Sequence, residues 1–559
     1  MRLLGKGHSP EFWVKVRESE AFRHYREVLL KYWNENLENF EFKALKYSDF
    51  KLFFETGNRS IYERQYFSRR RALESSVPLA LIFPEEKKYI DMVNEIIYVM
   101  CDEYTWCLPA HQAQIQTNDN TRPDLFATET GCHMAMADIL LGDRLEPLIR
   151  SRIRAEVKRR VIDSYINVPN WWWENAKSNW AAVCTASVAG CFMLLFPELL
   201  TEELIARMCR GIDGYLSGFN DDGVCLEGCG YWAYGVNYYV QFAEMMREFS
   251  DGKIDYFKHP KTKALAIFPQ NMFLSGHSCV SFSDSGRSFY YFIPTVHRLK
   301  TEYPDAVKVF PIEYGTYDIG CGRLAPRLYG AIWFDEDYYY HPDAQEGESE
   351  YYAPDSQWYV KKCKNYSFAA KAGHNAELHN HNDVGSFIVA KNGRQLLMDI
   401  GSGPYTAAYF SKTRYDILEP SSRSHSVPVI DGAYQLVGKE HGSTSVSCKD
   451  GIFEMDIASA YGNEALHSLK RRFETYDDRV VLTDEIDGDV SVIERFCTLI
   501  EPVASEGCIK IEELTLEFDP AVCELSIHSE PTSSATPVPC YMIDFKLKAG
   551  VKAFRATIR

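Results

Sequence analysis

The hydrophobic period of this 559-residue chain changes once along its length, and that change constrains the fold more than any single motif. Through the first 330 or so residues, apolar side chains recur at three- and four-residue intervals. Met92, Ile96, Ile97 and Met100 form one stripe, Ile149, Ile153, Val157 and Val161 a second, and Leu204, Met208, Ile212 and Leu216 a third. No strand-like alternation intervenes, which favours helix packed on helix over a parallel α/β sheet. No internal repeat points to a solenoid. Later runs are of β type: YSFAAKA, SFIVAKNGRQLLMDIG, SVPVIDG, RVVLTDEI and TLEF. Asn392-Gly393, between FIVAK and RQLLM, accepts the positive φ angles of a type I′ turn and predicts a hairpin. An acidic, turn-rich stretch around residues 335–356 reads as the connection. The expectation is a helical domain over 1–335 and a β-rich domain over 336–559, since a chain of this length exceeds one compact core.

The formal charge of −17 argues against broad binding to nucleic acid or anionic membranes, because tracking phosphates needs a basic excess. The opening MRLLGKGHSPEFWVKVRESE lacks the apolar centre of a signal peptide. The longest apolar run, AAVCTASVAGCFMLLF (181–196), is short for a membrane span and carries Thr185 and Ser187, so it reads as a buried helix. Sixteen cysteines without framework spacing fit reduced thiols. Together these features predict a soluble, cytoplasmic protein; a periplasmic or secreted form whose leader has been removed is the alternative. Aromatic residues make up 14% of the chain, which fits sugar-stacking surfaces and, more commonly, large cores.

Two clusters stand out. AELHNHNDVGSF (376–387) places His379 and His381 two apart, on one face if they lie in a regular strand. Asp399 follows on the return strand of the hairpin and His425 in SSRSHSVPVIDG. Two imidazoles and a carboxylate suit zinc or manganese, with hydrogen-bonded turn histidines as the plain alternative. A strict two-residue hairpin pairs Asp399 with Ser386 and turns His381 to the opposite face. The metal reading therefore requires the strand to begin after His381 or to bulge. The second cluster joins NWWWENAKSNWAAVCTASVAG (170–190) to DDGVCLEGCGYWAYGVNYYVQF (221–242), with Glu227, Tyr231 and Tyr234 behind a glycine-rich loop. Packing alone would also account for Trp171, Trp172 and Trp173, and for a Tyr231/Tyr234 helix face.

Taken in order, NWAAVCTASVAG, DGVCLEGCGYWAYG, HNHNDVGSFIVAKNGRQLLMDIGSGPYTAAYF and SHSVPVIDG resemble the heparinase II/III-like polysaccharide lyases over roughly residues 160–435, most strongly over 376–432. The resemblance implies a multidomain α+β protein: an N-terminal (α/α) toroid followed by a C-terminal antiparallel β-sandwich. It implies that Asn179 neutralises a uronate carboxylate, that Tyr234 and His379 are catalytic, and that His381, Asp399 and His425 hold one divalent metal, zinc or manganese, in a structural role. A further catalytic tyrosine follows the D-x-G loop; Tyr405 and Tyr409 compete for it, and Tyr409 is preferred. Arg122 and Arg423 are candidate carboxylate or sulfate contacts, joined by Trp180, Glu227 and Tyr405; an ion pair or packing would account for each arginine and tryptophan as well. Trp171 is a further stacking candidate.

The implied activity is β-elimination on uronate chains such as hyaluronan, chondroitin, heparan-type chains or alginate, leaving an unsaturated end. The overall acidity favours lightly sulfated or unsulfated substrates. Two other classes compete: a toroid glycoside hydrolase using Glu227 with Asp221 or Asp222, and a non-catalytic carbohydrate-binding protein.

Overall fold

The computed structural model describes residues 3–38, 40–112, 119–288, 290–344, 347–406 and 408–559. Its contacts divide the chain into two units. One comprises Met1–Phe219, Trp232–Ala266 and Tyr291–Asp343; the other comprises Asn220–Tyr231, Ile267–Tyr290 and Ala344–Arg559. Two segments from the helical stretch of sequence, Asn220–Tyr231 and Ile267–Tyr290, thus group with the β-rich unit, which resumes at Ala344 rather than 336.

The first unit is helical. The 92–100 stripe lies in Lys87–Cys101, where Ile96, Ile97 and Met100 are buried beside Val93. Pro147–Val157 buries Ile149, Ile153 and Val157, and Glu202–Leu216 buries Met208, Ile212 and Leu216. Helix Asn179–Leu195 is buried at every position except Trp180, as expected of its continuous apolar run. Its backbone comes close to its neighbours because glycine permits it. A Cβ at Gly190 would meet Cys132 Sγ at 2.6 Å, and one at Gly211 would meet Thr185 Oγ1 at 2.6 Å. Among the described residues no helix is long and apolar enough to cross a membrane.

The second unit is built of antiparallel sheets. One has five strands, in the order Arg394–Leu397, Phe387–Lys391, Ser367–Lys371, Trp358–Lys362 and Ser349–Ala353. A second has four, in the order Val429–Ile430, Val492–Thr498, Pro539–Leu547 and Cys523–Pro531. A third, of eight strands, is centred on Leu466–Thr475, Val480–Gly488 and Ala553–Ile558. The three meet at Phe387, whose ring lies 5.3 Å from Phe473 and 5.2 Å from Phe496, all inside one apolar core. Beside this core the fully buried Arg471 pairs with Asp484 and Glu494. Its remaining guanidinium nitrogen donates to the carbonyls of Gly385 (3.0 Å) and Ser426 (2.8 Å).

The Asn-Gly hairpin forms, with φ of 49° at Asn392 and 76° at Gly393. Its first strand begins only at Phe387, and its second slips register between Gln395 and Leu397 and ends there. His379–Ser386 and Asp399 therefore lie in irregular backbone outside the ladder, which removes the face conflict that a regular hairpin imposes. SVPVIDG yields just the two-residue strand Val429–Ile430, because Pro428 lacks an N–H and Asp431 turns the chain at φ 50°. The acidic 335–356 stretch contributes the short helix Glu336–Tyr340 and the edge strand Ser349–Ala353.

Candidate active site

In the β-rich unit the histidine segment converges on Asp284, an aspartate that sequence reasoning missed. Asp284 lies in CVSFSDSGRS, where a single acid among serines carries no spacing signal. Its segment is held by Ser281 Oγ, which donates to Asp399 O at 3.0 Å, and by two close backbone approaches. A Cβ on Gly228 (φ 94°) would strike Ser285 Cβ at 2.4 Å, and one on Gly401 (φ 79°) would strike Ser285 O at 2.6 Å. The glycines of LEG and DIG thus let the loops of Glu227 and Asp399 close over the residue beside Asp284.

The Asp284 side chain is fully buried and accepts five bonds: from His379 Nδ1 (2.6 Å), His381 Nε2 (3.1 Å), Tyr405 Oη (3.1 Å), Arg414 Nη2 (3.0 Å) and the Tyr409 hydroxyl. Burial alone would raise its pKa, but the histidine bonds and the Arg414 charge hold it well below the usual carboxylate range.

His379 has a left-handed backbone, φ 52°, which costs a non-glycine residue about 1–2 kcal/mol and persists where surrounding contacts enforce it. Its side chain is 21% exposed, and its ring packs against Tyr231 with centroids 4.2 Å apart and the planes tilted by 31°. The Tyr231 and Tyr405 hydroxyls are 2.8 Å apart. Burial pushes both phenols well above 10, so each carries its proton. Glu227 is 6% exposed; its Oε2 lies 3.5 Å from His379 Nε2 and has no hydrogen-bond partner among the described residues. Burial raises its pKa, with His379 opposing and Asp284 adding.

Beside this cluster His381, Asp399 and His425 are fully buried, with ligand atoms all within 4.8 Å of one another. Their outer bonds set the tautomers. His381 gives its Nε2–H to Asp284, and His425 gives its Nδ1–H to Ser421 O at 2.8 Å. The bare nitrogens, His381 Nδ1 and His425 Nε2, then face each other at 3.2 Å and face Asp399, which is oriented by Gly401 N–H at 2.8 Å. Among the described residues Asp399 Oδ2 has no hydrogen-bond partner, with His425 Nε2 at 3.3 Å. Three lone-pair donors turned on one point form a site that calls for a positive charge, and these residues could hold a divalent metal. The same need shows in His425: burial opposes its charged form, yet Asp399 lifts it to about 9. Of the remaining polar residues in 376–387, Asn380 bonds Asn382 and Tyr415, and Asp383 pairs with Lys371 at 2.8 Å, so these support the loop.

The other sequence-predicted residues of this unit have the following surroundings. Tyr409, the preferred tyrosine, is 0% exposed, with its hydroxyl on Asp284 and Arg414 over its ring; Tyr405 is partly exposed. Arg423 is engaged by Glu530 (3.2 Å) and Asp416 O (2.8 Å), the ion-pair alternative. Asp222 caps a turn, accepting from Asp355 N and from Ser356 N and Oγ.

The helical unit holds the other candidates. Asn179 is the 8%-exposed first residue of Asn179–Leu195. Its approach is fixed by Glu174, which accepts from Trp171 N and from buried Arg207. Trp180 packs between Trp172 (4.7 Å) and His111 (4.8 Å), whose Nδ1 is 2.6 Å from Asp124. Arg122 faces Asp119 at 3.7 Å and lies 6.0 Å over Trp171. Tyr234 donates to Glu129 at 3.0 Å beneath Arg323, which itself bonds Glu129 at 2.8 Å. Burial raises the Tyr234 phenol and Arg323 opposes that. Neither Glu129 nor Arg323 was singled out by the sequence.

No protein-family model matches the chain, and no curated protein matches its sequence. Solved structures do. A heparinase III aligns with a TM-score of 0.59 at 13% identity, covering 98% of this chain and 92% of that one. The heparan sulfate lyase of Pedobacter heparinus gives 0.55 at 13%, covering 99% and 86%. The chondroitin AC lyase of Streptomyces coelicolor A3, solved with chondroitin sulphate, gives 0.54 at 10%, covering 98% and 82%. Along nearly its whole length, this chain has the fold of these heparinase III and chondroitin AC lyase structures.

Proposed function

We propose that this protein is a polysaccharide lyase that cleaves uronate-containing chains by β-elimination, on an (α/α) toroid followed by an antiparallel β-sandwich. The observation that carries this reading is the His379 cluster: an imidazole held through Nδ1 by a buried carboxylate and packed against one of two hydrogen-bonded phenols that both retain their protons. A base and a neutral acid side by side are what elimination requires.

His379 Nε2 takes the C5 proton of the uronate. The electron pair forms the C4=C5 double bond, the C4–O4 bond breaks, and the Tyr231–Tyr405 pair delivers a proton to the leaving oxygen. Placing the acid on Tyr231 departs from the resemblance, which makes Tyr234 the catalytic tyrosine of this helix. The part of hydrogen-bonding a uronate carboxylate comes to Asn179, a buried amide in the first turn of a long helix, from the family resemblance. His381, Asp399 and His425 would hold a zinc or manganese ion, whose fixed positive charge would pin the histidine-bearing loop. The chain's acidity supports unsulfated or lightly sulfated substrates.

The deciding experiment incubates the purified protein with hyaluronan, chondroitin, heparan sulfate and alginate. Elimination yields an ultraviolet-absorbing unsaturated uronate. New reducing ends without that chromophore would mean hydrolysis, and saturable binding without turnover would mean a carbohydrate-binding protein.

A further inference from the structure

The His379 and His381 side chains bond the two oxygens of one carboxylate. His379 Nδ1 meets Asp284 Oδ2 at 2.6 Å, and His381 Nε2 meets Asp284 Oδ1 at 3.1 Å. One histidine belongs to the proposed proton-transfer site and the other to the candidate metal site. Their common anchor comes from a segment about a hundred positions away in sequence, itself tied to the metal-ligand loop through Ser281 and Asp399. Arg414 and the Tyr405 and Tyr409 hydroxyls complete the shell, so the carboxylate has little freedom to rotate.

We propose that Asp284 is a positioning residue that couples the two sites: one oxygen keeps the proton on His379 Nδ1 and leaves Nε2 bare towards substrate, while the other keeps the proton on His381 Nε2 and leaves Nδ1 bare towards Asp399 and His425. The left-handed backbone of His379 is a conformation that surrounding contacts must hold, and the bond to Asp284 is one of them. The coupling rests on the reading of His379 as the base. The alternative is that Asp284 serves only as counter-charge to Arg414.

Asp284→Asn keeps the shape but supplies a single acceptor oxygen, so one histidine must change tautomer or lose its bond. The test compares the wild type, Asp284→Asn and His379→Ala for zinc affinity (by competition with a chromophoric chelator), for the visible spectrum of bound Co(II), and for kcat and KM in the unsaturated-product assay. In Asp284→Asn the zinc dissociation constant should rise about 10- to 100-fold and the Co(II) bands should shift. Its kcat should fall about 10²-fold or more, with KM nearly unchanged. His379→Ala should lose kcat yet bind zinc as the wild type does. Wild-type zinc affinity together with wild-type kcat in Asp284→Asn would reduce Asp284 to a counter-ion.

If Asp284→Asn fails to fold, ¹⁵N–¹H correlation of the histidine rings in the wild type decides. Protons on His379 Nδ1 and His381 Nε2 are required, and the opposite tautomer on either overturns the proposal. If the wild type forms no unsaturated product from any uronate chain, the lyase reading fails, while the zinc and tautomer measurements still judge Asp284.

Discussion

The hydroxyls of Tyr231 and Tyr405, 174 positions apart in sequence, meet at 2.8 Å, and the Tyr231 ring packs against His379 at a tilt of 31°. Tyr231→Phe and Tyr405→Phe should each lower kcat by about 10²-fold or more, whereas Tyr409→Phe, which loses a fully buried hydroxyl, should act mainly on stability. Steady-state kinetics on the four tyrosine variants, Tyr234→Phe included, rank them. A Tyr234→Phe loss exceeding that of Tyr231→Phe would return the acid to Tyr234.

Metal removal should weaken the fold as well as the activity. Because the three ligands come from separate loops, dialysis against a chelator should lower the melting temperature, and zinc restored at a hundred times its dissociation constant should return about 2.7 kcal/mol. Differential scanning calorimetry measures both. Asp399→Ala should abolish the zinc-dependent shift.

Glu227 gives the stability a pH dependence of known sign. Its folded pKa is raised above the ordinary 4.5, mainly by burial, with His379 and Asp284 as the ionisable groups facing it. Folding therefore takes up a proton. The stability this carboxyl lends is complete below 4.5 and is lost as pH rises through the folded value. Relative to Glu227→Gln, which has no proton to lose, the wild type should become steadily less stable across that window. Urea unfolding at a series of pH values should show the two curves diverging upward in pH; parallel curves would contradict the raised pKa.

Asn179→Ala should reduce kcat on a free uronate by about 10²- to 10³-fold, the usual cost of one donor to a developing charge. A methyl-esterified uronate has no carboxylate charge to neutralise, so the variant's deficit should shrink on that substrate. An equal loss on both would mean that Asn179 supports the helix start instead of the reaction.

Much of the architecture was legible because period and turn chemistry are local signals. The helical stripes at Ile153 and Ile212 and the Asn392-Gly393 hairpin each declare themselves within a dozen residues. The His381, Asp399 and His425 set was legible through the family resemblance, although a regular-strand reading placed His381 on the wrong face. What lies hidden depends on distant partners. Arg423 stays open between a substrate contact and an ion pair until Glu530, 107 positions on, is brought to it. Tyr405 and Tyr409 compete in sequence, with Tyr409 preferred, and only the fold shows that Tyr409 is buried while Tyr405 meets Tyr231. Asp284 has no local mark at all, since its meaning comes from the two histidines that reach it.

Arg471 carries a last implication. Its guanidinium, sealed in the sheet core, holds the carbonyl of Gly385, four residues after His381, and that of Ser426, directly after His425. A lesion at Arg471, or at its partners Asp484 and Glu494, would slacken both ligand-bearing loops from behind. In a screen for inactive variants such positions would mimic the reacting groups themselves, and only their diminished resistance to heat would betray them as scaffolding.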